Sequence, residues 1–132
     1  MDRKIRILLS KVGLDAHDRG IHVLEEALHD AGMDVIVNSL GEKPEDIVRI
    51  AIEKDVDVIG ISIHSATHNV YLPKIVKLLK KENKDIPVIV GGIIPDEDAE
   101  KLKKAGVREI FKPGESLEKI IENTINRQMK QI

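Results

Sequence analysis

The stretch Lys11-Val12-Gly13-Leu14-Asp15-Ala16-His17-Asp18-Arg19-Gly20 lies between an apolar run, Lys4 to Leu9, and an amphipathic run that begins at Ile21. An apolar, β-branched segment, then a polar loop with glycines, then apolar residues at helical spacing reads as strand, loop and helix. The stretch is therefore the first strand-to-helix connection of an α/β domain. It is also chemically dense, with a carboxylate, an imidazole, a lysine and two glycines in ten positions. A loop that only turns the chain has no need of Asp15 and His17 two residues apart. The pair reads as a metal-ligating histidine whose ring an acid orients. The same spacing also admits a solvated His17 beside a helix-capping Asp15.

Outward from that loop the pattern repeats. Ile21, Leu24, Leu28 and Ala31 mark one face of a first helix, and Gly32 follows as its left-handed cap. Asp34 to Ser39 reads as strand two, and Ile47, Ile50 and Ala51 as the inner face of helix two. Asp57 to Ser62 is nearly all apolar, as a central parallel strand buried on both faces must be. His64 to Asn69 reads as the next loop, Val70 to Lys81 as helix three and Ile86 to Val90 as strand four, which ends at Gly91-Gly92. Pro95 is expected in the first turn of helix four, with Ala99, Leu102 and Ala105 facing inward and Gly106 closing it. Arg108 to Phe111 is strand five, Lys112-Pro113-Gly114 a turn, and Leu117, Ile120, Ile121 and Ile125 line a last helix. Five strands alternating with five helices predict a doubly wound five-stranded parallel sheet of flavodoxin-like (Rossmann-like) type, order 2-1-3-4-5, in one domain spanning 1–132.

Composition narrows the function. A chain of 132 residues, 42% hydrophobic and 33% charged, can bury a core as one domain. A net charge of −2 gives no basic footprint for nucleic acid, and Tyr71 and Phe111 are the only aromatic residues, too few for base-stacking surfaces. No apolar run is long enough to span a bilayer, and no signal-like N-terminus stands out. The absence of cysteine excludes disulfides and thiolate metal sites and fits a reducing cytoplasm, the expected location.

In sheets of this type ligands bind beyond the carboxyl ends of the strands, at the switch point between strands one and three. The unusual residues gather there: Asp15, His17 and Gly20 after strand one, Ser62 and His64 after strand three, Gly91-Gly92 after strand four, Pro113-Gly114 after strand five. The opposite loops hold only turn and charged residues. Taken singly, each glycine also reads as an ordinary turn residue. His64 and His68, four apart, would pair on a metal only if helical, and loop histidines are the simpler reading. The lysines of helix three read as a solvated face.

Together these residues resemble the cobalamin-binding subunit or C-terminal domain of adenosylcobalamin-dependent acyl-CoA mutases, of the methylmalonyl-CoA, isobutyryl-CoA and 2-hydroxyisobutyryl-CoA mutase type. Lys11 to Gly20 carries the D-x-H-x-x-G signature, and the resemblance continues through Ser62, Pro73, Gly91-Gly92-Ile93-Ile94-Pro95 and Pro113-Gly114. It implies that His17 replaces the cofactor's own dimethylbenzimidazole as lower axial ligand of cobalt, with Asp15 and Lys11 as the relay behind it. It implies too that Ser62, Gly91 and Gly92 line a slot for the displaced nucleotide tail. Ala16, Asp18, Arg19, Gly20, Leu24, His64, Phe111, Pro113 and Gly114 would stand around the cofactor. Two positions depart from the family pattern: Ser62-Ile63-His64 replaces its S-x-L, and Ala16 replaces a frequent glycine.

The same resemblance implies an isomerase shared between subunits. Acyl-CoA would be bound by a large catalytic subunit with a (β/α)8 barrel, which 132 residues cannot contain beside this domain. The alternatives are a corrinoid carrier protein of a methyltransferase, which usually has a preceding helical bundle, and a cofactor-free receiver-like binding module. A cobalamin-dependent regulator would need an output domain, and a hydrolase built on His17, Asp15 and His64 has no supporting motif.

Overall fold

A computed structural model describes residues 4–12, 19–38, 43–63, 68–91, 94–111, 119 and 121, with the backbone alone at 11–12, 19–24, 63 and 68–70. The elements are β1 (Arg6–Val12), α1 (Arg19–Asp30), β2 (Asp34–Val37), α2 (Pro44–Glu53), β3 (Val58–Ile63), α3 (His68–Lys81), β4 (Val88–Gly91), α4 (Asp96–Lys104) and β5 (Glu109–Phe111). The strands form one parallel sheet in the order β2-β1-β3-β4-β5. That is the flavodoxin-like arrangement expected from the alternation of patterns. Of the last helix, only Lys119 and Ile121 are among the described residues, both helical.

Alternating strand residues face two separate cores. Leu8, Ile59, Ile61, Val88 and Val90 pack against Ile47, Ile50 and Ala51 of α2, Leu72, Ile75 and Leu79 of α3 and Leu102 of α4. Ile7, Leu9, Val58 and Ile89 face the other way, onto Leu28 of α1 and Ile121. The inner face expected of helix two is thus the buried one.

Helices α1 to α4 all end in the same way. Residues Gly32, Asp55, Asn83 and Gly106 take positive φ, and the next residue bonds back to the carbonyl five positions earlier: Met33 to Leu28, Val56 to Ala51, Lys84 to Leu79, Val107 to Leu102, at 2.9–3.1 Å. This Schellman geometry uses up the last carbonyls and turns the chain straight into the next strand. Gly106 has a second constraint, since a Cβ there would lie 2.6 Å from Val76 Cγ1.

Several boundaries differ from the sequence reading. Lys11 and Val12 belong to β1, because β3 continues to pair with them beyond the end of β2. Arg19 and Gly20 already lie in α1, so the connecting loop shortens to residues 13–18. Strand β4 begins at Val88, and Pro87, which has no N–H, contributes only its carbonyl, to Ile59 N at 3.0 Å. Pro95 is the residue that caps α4 rather than one of its first turn, with extended ψ of 147°. His68 starts α3 instead of lying in a loop.

At the amino edge of the sheet Arg6 acts as a clip. Its Nε donates to Asp34 Oδ2 at 2.8 Å, its Nη1 to the Lys54 carbonyl at 2.6 Å, and its backbone N–H to Asp57 Oδ2 at 2.8 Å. On the surface, Lys74 of α3 reaches Glu45 of α2 at 2.9 Å, and its hydrogen bond holds the Glu45 carboxyl below the ordinary range. Lys74→Met is therefore expected to raise the Glu45 titration toward the ordinary value, read by NMR of the Glu45 side-chain carboxyl carbon. Because the folded value is the lower one, the bond's contribution is present above the unfolded value and fades as pH falls through the folded one. Both groups are half exposed, so the stability effect is small.

Candidate functional site at the carboxyl edge

Parallel pairing fixes which residues stand side by side at the end of the sheet. Lys11 pairs with Ser62, Ser62 with Gly91, and Gly91 with Phe111. Four residues singled out from sequence thus form one row across β1, β3, β4 and β5. Register partners in a parallel sheet share a face, and this row lies on the α1 side, beyond Leu9, Gly60 and Ile89.

The row is low in the middle. Gly60 and Ser62 follow each other on this face of β3, and Gly91 stands beside Ser62 on β4. A Cβ added at Gly60 would come within 3.0 Å of Leu9 Cδ2. One added at Gly91 would overlap Cε2 and Cζ of Phe111 and lie 2.8 Å from its Cδ2. Gly91 is buried, whereas Ser62 and Phe111 are half-buried. Here glycine is required for close approach, and the approaching group is an aromatic ring.

Around this row the loops carrying the remaining candidates all leave from the same edge. Residues 13–18 run between Val12 and Arg19, 64–67 between Ile63 and His68, 92–93 between Gly91 and Ile94, and 112 onward follow Phe111. Asp15, Ala16, His17, Asp18, His64, Gly92, Pro113 and Gly114 themselves lie outside the described residues. Arg19, Gly20 and Leu24 are on the first turns of α1. His68 opens α3. Among the described residues no group of three His, Asp or Glu side chains could hold a metal ion.

Sequence reasoning missed Ser10 and Asn38. Ser10 is 1% exposed, on the opposite face of β1 from Lys11, and its Oγ accepts from Asn38 Nδ2 at 3.1 Å. The Asn38 N–H donates to the Leu9 carbonyl at 2.8 Å, closing the ladder where β2 stops. A serine ending the apolar run Ile7-Leu8-Leu9 was the available signal. A groove of about 390 Å³ lies elsewhere, at the amino edge between the ends of α3 and α4, with Lys80, Lys84, Lys103 and Arg108 among its lining residues. It shares nothing with the row at the carboxyl edge.

The missing Cβ atoms of Gly60 and Gly91 beside Ser62 leave a shallow relief of the kind that a flat group needs, covered here by Leu9, Ile7 and the Phe111 ring.

Comparison with known proteins places these residues in a family. Residues 5–122 match the B12 binding domain. The chain is 53% identical over 108 residues to the 2-hydroxyisobutanoyl-CoA mutase small subunit of Aquincola tertiaricarbonis, covering 81% of this chain and 79% of that one. It is 40% identical to methylmalonyl-CoA mutase of Escherichia coli over 94% of its own length, but spans only 18% of that protein. Among solved structures, a cobalamin-binding protein from Desulfitobacterium hafniense superposes with a TM-score of 0.74 at 22% identity, over 92% of this chain and 60% of that one. The receiver domain of a diguanylate cyclase from Desulfovibrio desulfuricans superposes at 0.70 with 17% identity, over 98% of this chain and 100% of that one. At such identities both structures speak for the fold alone. Sequence identity supplies the distinction that the fold cannot: the chain belongs to the B12-binding domain family.

Proposed function

We propose that the chain, taken whole over 1–132, is the cobalamin-binding subunit of a two-component adenosylcobalamin-dependent acyl-CoA mutase. One observation carries the reading. In a chain 53% identical to a mutase small subunit, Lys11, Ser62, Gly91 and Phe111 share one row at the sheet edge from which the D-x-H-x-x-G loop departs.

In this reading His17 is the lower axial ligand of cobalt, and the cofactor is held with its own base displaced. Asp15 accepts the proton of the other ring nitrogen, which fixes the tautomer and makes the imidazole a better donor. Lys11, next to last in β1, completes the relay behind His17 and Asp15. Ser62, Gly91 and Gly92 receive the nucleotide tail, with Gly20 and Leu24 of α1 over it. Bound adenosylcobalamin supplies a weak cobalt–carbon bond whose homolysis begins the carbon-skeleton isomerisation. The chain's own work is to bind, orient and exclude water from one face of the corrin. The other face is left to a large catalytic subunit with a (β/α)8 barrel, which binds the acyl-CoA. A cytoplasmic location accords with a cysteine-free chain in which no described helix is long and apolar enough to cross a membrane.

The direct test is a visible-absorption titration of the chain with adenosylcobalamin. A saturable change to a spectrum with histidine on cobalt and the benzimidazole off is expected. Silence of the chain alone, and again with a mutase large subunit added, would end this reading.

A further inference from the structure

We propose that Phe111 is the gate of the slot at the carboxyl edge: its ring, resting on Gly91, must leave before the cofactor's nucleotide tail can lie against Ser62 and Gly91. The inference rests on the function proposed above and adds to it a residue that sets how fast the tail enters.

The geometry begins with the register. Phe111 is the last residue of β5, the edge strand, and its partner is Gly91, the last residue of β4. A side chain on an edge strand can lean only one way over the sheet, toward its single neighbour. The ring does so, lying so close to Gly91 that any Cβ there would overlap two of its carbons. Ring and tail therefore compete for the same surface. A base lying flat beside Ser62 on Gly91 and the ring in this position exclude one another.

Three side chains fill the relief left by the small residues of this face, Leu9 and the fully buried Ile7 over Gly60 and Phe111 over Gly91. They are not equally held. Leu9 is 3% exposed in the middle of β1, between β2 and β3, and packs in the core below α1. Phe111 is half-buried and packs at the margin of that core. Turning Phe111 about its side-chain bonds moves the ring without disturbing a ladder bond, whereas moving Leu9 would open the core. Phe111 is thus the filler that can yield.

An aromatic ring is also the right filler to exchange. The tail ends in a flat aromatic base of similar thickness, so one flat apolar group replaces another on the same bare Cα. The slot keeps its apolar surface covered with the ring in place, and the ring's departure is compensated by the base that arrives.

The test is stopped-flow binding of cobalamin and of cobinamide, which has the corrin but no nucleotide tail, to the wild-type chain and to Phe111→Ala and Phe111→Leu. With the gate removed, cobalamin is expected to associate about tenfold faster with Phe111→Ala and by a smaller factor with Phe111→Leu. Cobinamide association should stay at the wild-type rate. Circular dichroism identifies any variant that does not fold, and the leucine variant keeps most of the apolar bulk. Unchanged cobalamin rates in folded variants would overturn the gate. So would slower association or faster release, which would make the ring a wall that holds the bound tail, and so would equal effects on both ligands, which would mean general loosening. If neither cobalamin nor cobinamide binds wild type, with or without the large subunit, the proposed function fails instead.

Discussion

His17→Ala is expected to remove the histidine-on-cobalt spectrum and to weaken cobalamin binding on the order of 100-fold, the upper end of what even losing an orienting partner costs a metal site. The loop of residues 13–18 is tied at one end to Val12 of β1 and at the other to Arg19 of α1, both parts of the rigid sheet-and-helix frame. Methyl cannot replace imidazole as a nitrogen ligand of a transition metal. Asp15→Asn should keep the ligand but replace the charged acceptor behind it with a neutral amide, giving about tenfold weaker binding with the spectrum retained. Electron paramagnetic resonance of the cob(II)alamin form reads the axial nitrogen directly. Thermal unfolding of both variants without cofactor checks that the fold is intact. A His17→Ala chain with the wild-type spectrum would show that some other group ligates cobalt.

The second large effect is on stability. Ile59→Ala should destabilise the chain by about 3–4 kcal/mol, and Ile59→Val by about 1 kcal/mol. Ile59 is fully buried in the central strand β3, between Leu8 of β1 and Val88 of β4, and belongs to the core covered by α2, α3 and α4. With strands on both sides and helices above, the frame cannot collapse onto the missing carbons, so the cavity persists. Urea unfolding followed by circular dichroism measures the difference, with an unchanged slope as the sign that the folded and unfolded states themselves are unaltered. A loss below about 1 kcal/mol for the alanine variant would mean that this core repacks more freely than its burial implies.

The architecture was legible because parallel strands buried on both faces must be apolar, and Val58 to Ile61 satisfies that without any partner being known. The caps were half legible. Gly32 and Gly106 announce left-handed residues, whereas Asp55 and Asn83 take the same conformation with no glycine to signal it. The end of β1 was misplaced because Lys11 is polar, so local pattern assigns it to the loop. It is held in the sheet by Ser62, fifty-one positions away, a contact that no window of sequence contains. The same holds for the ring of Phe111 over Gly91. The sequence marks both residues, but only the register between β4 and β5 makes them neighbours. Asn38 and Ser10 escaped notice for a related reason, since a short polar residue at a strand end has many ordinary uses.

The clip at Arg6 has a consequence at the far end of the sheet. A strand that slides by two residues keeps every apolar side chain facing its proper core, so hydrophobicity alone does not forbid the error. Sliding β1 in that way would pull Arg6 off Asp34, Asp57 and the Lys54 carbonyl together. It would also bring Leu9 or Gly13 opposite Ser62 in place of Lys11. The alignment of the row at the carboxyl edge is thus proofread by contacts at the opposite rim.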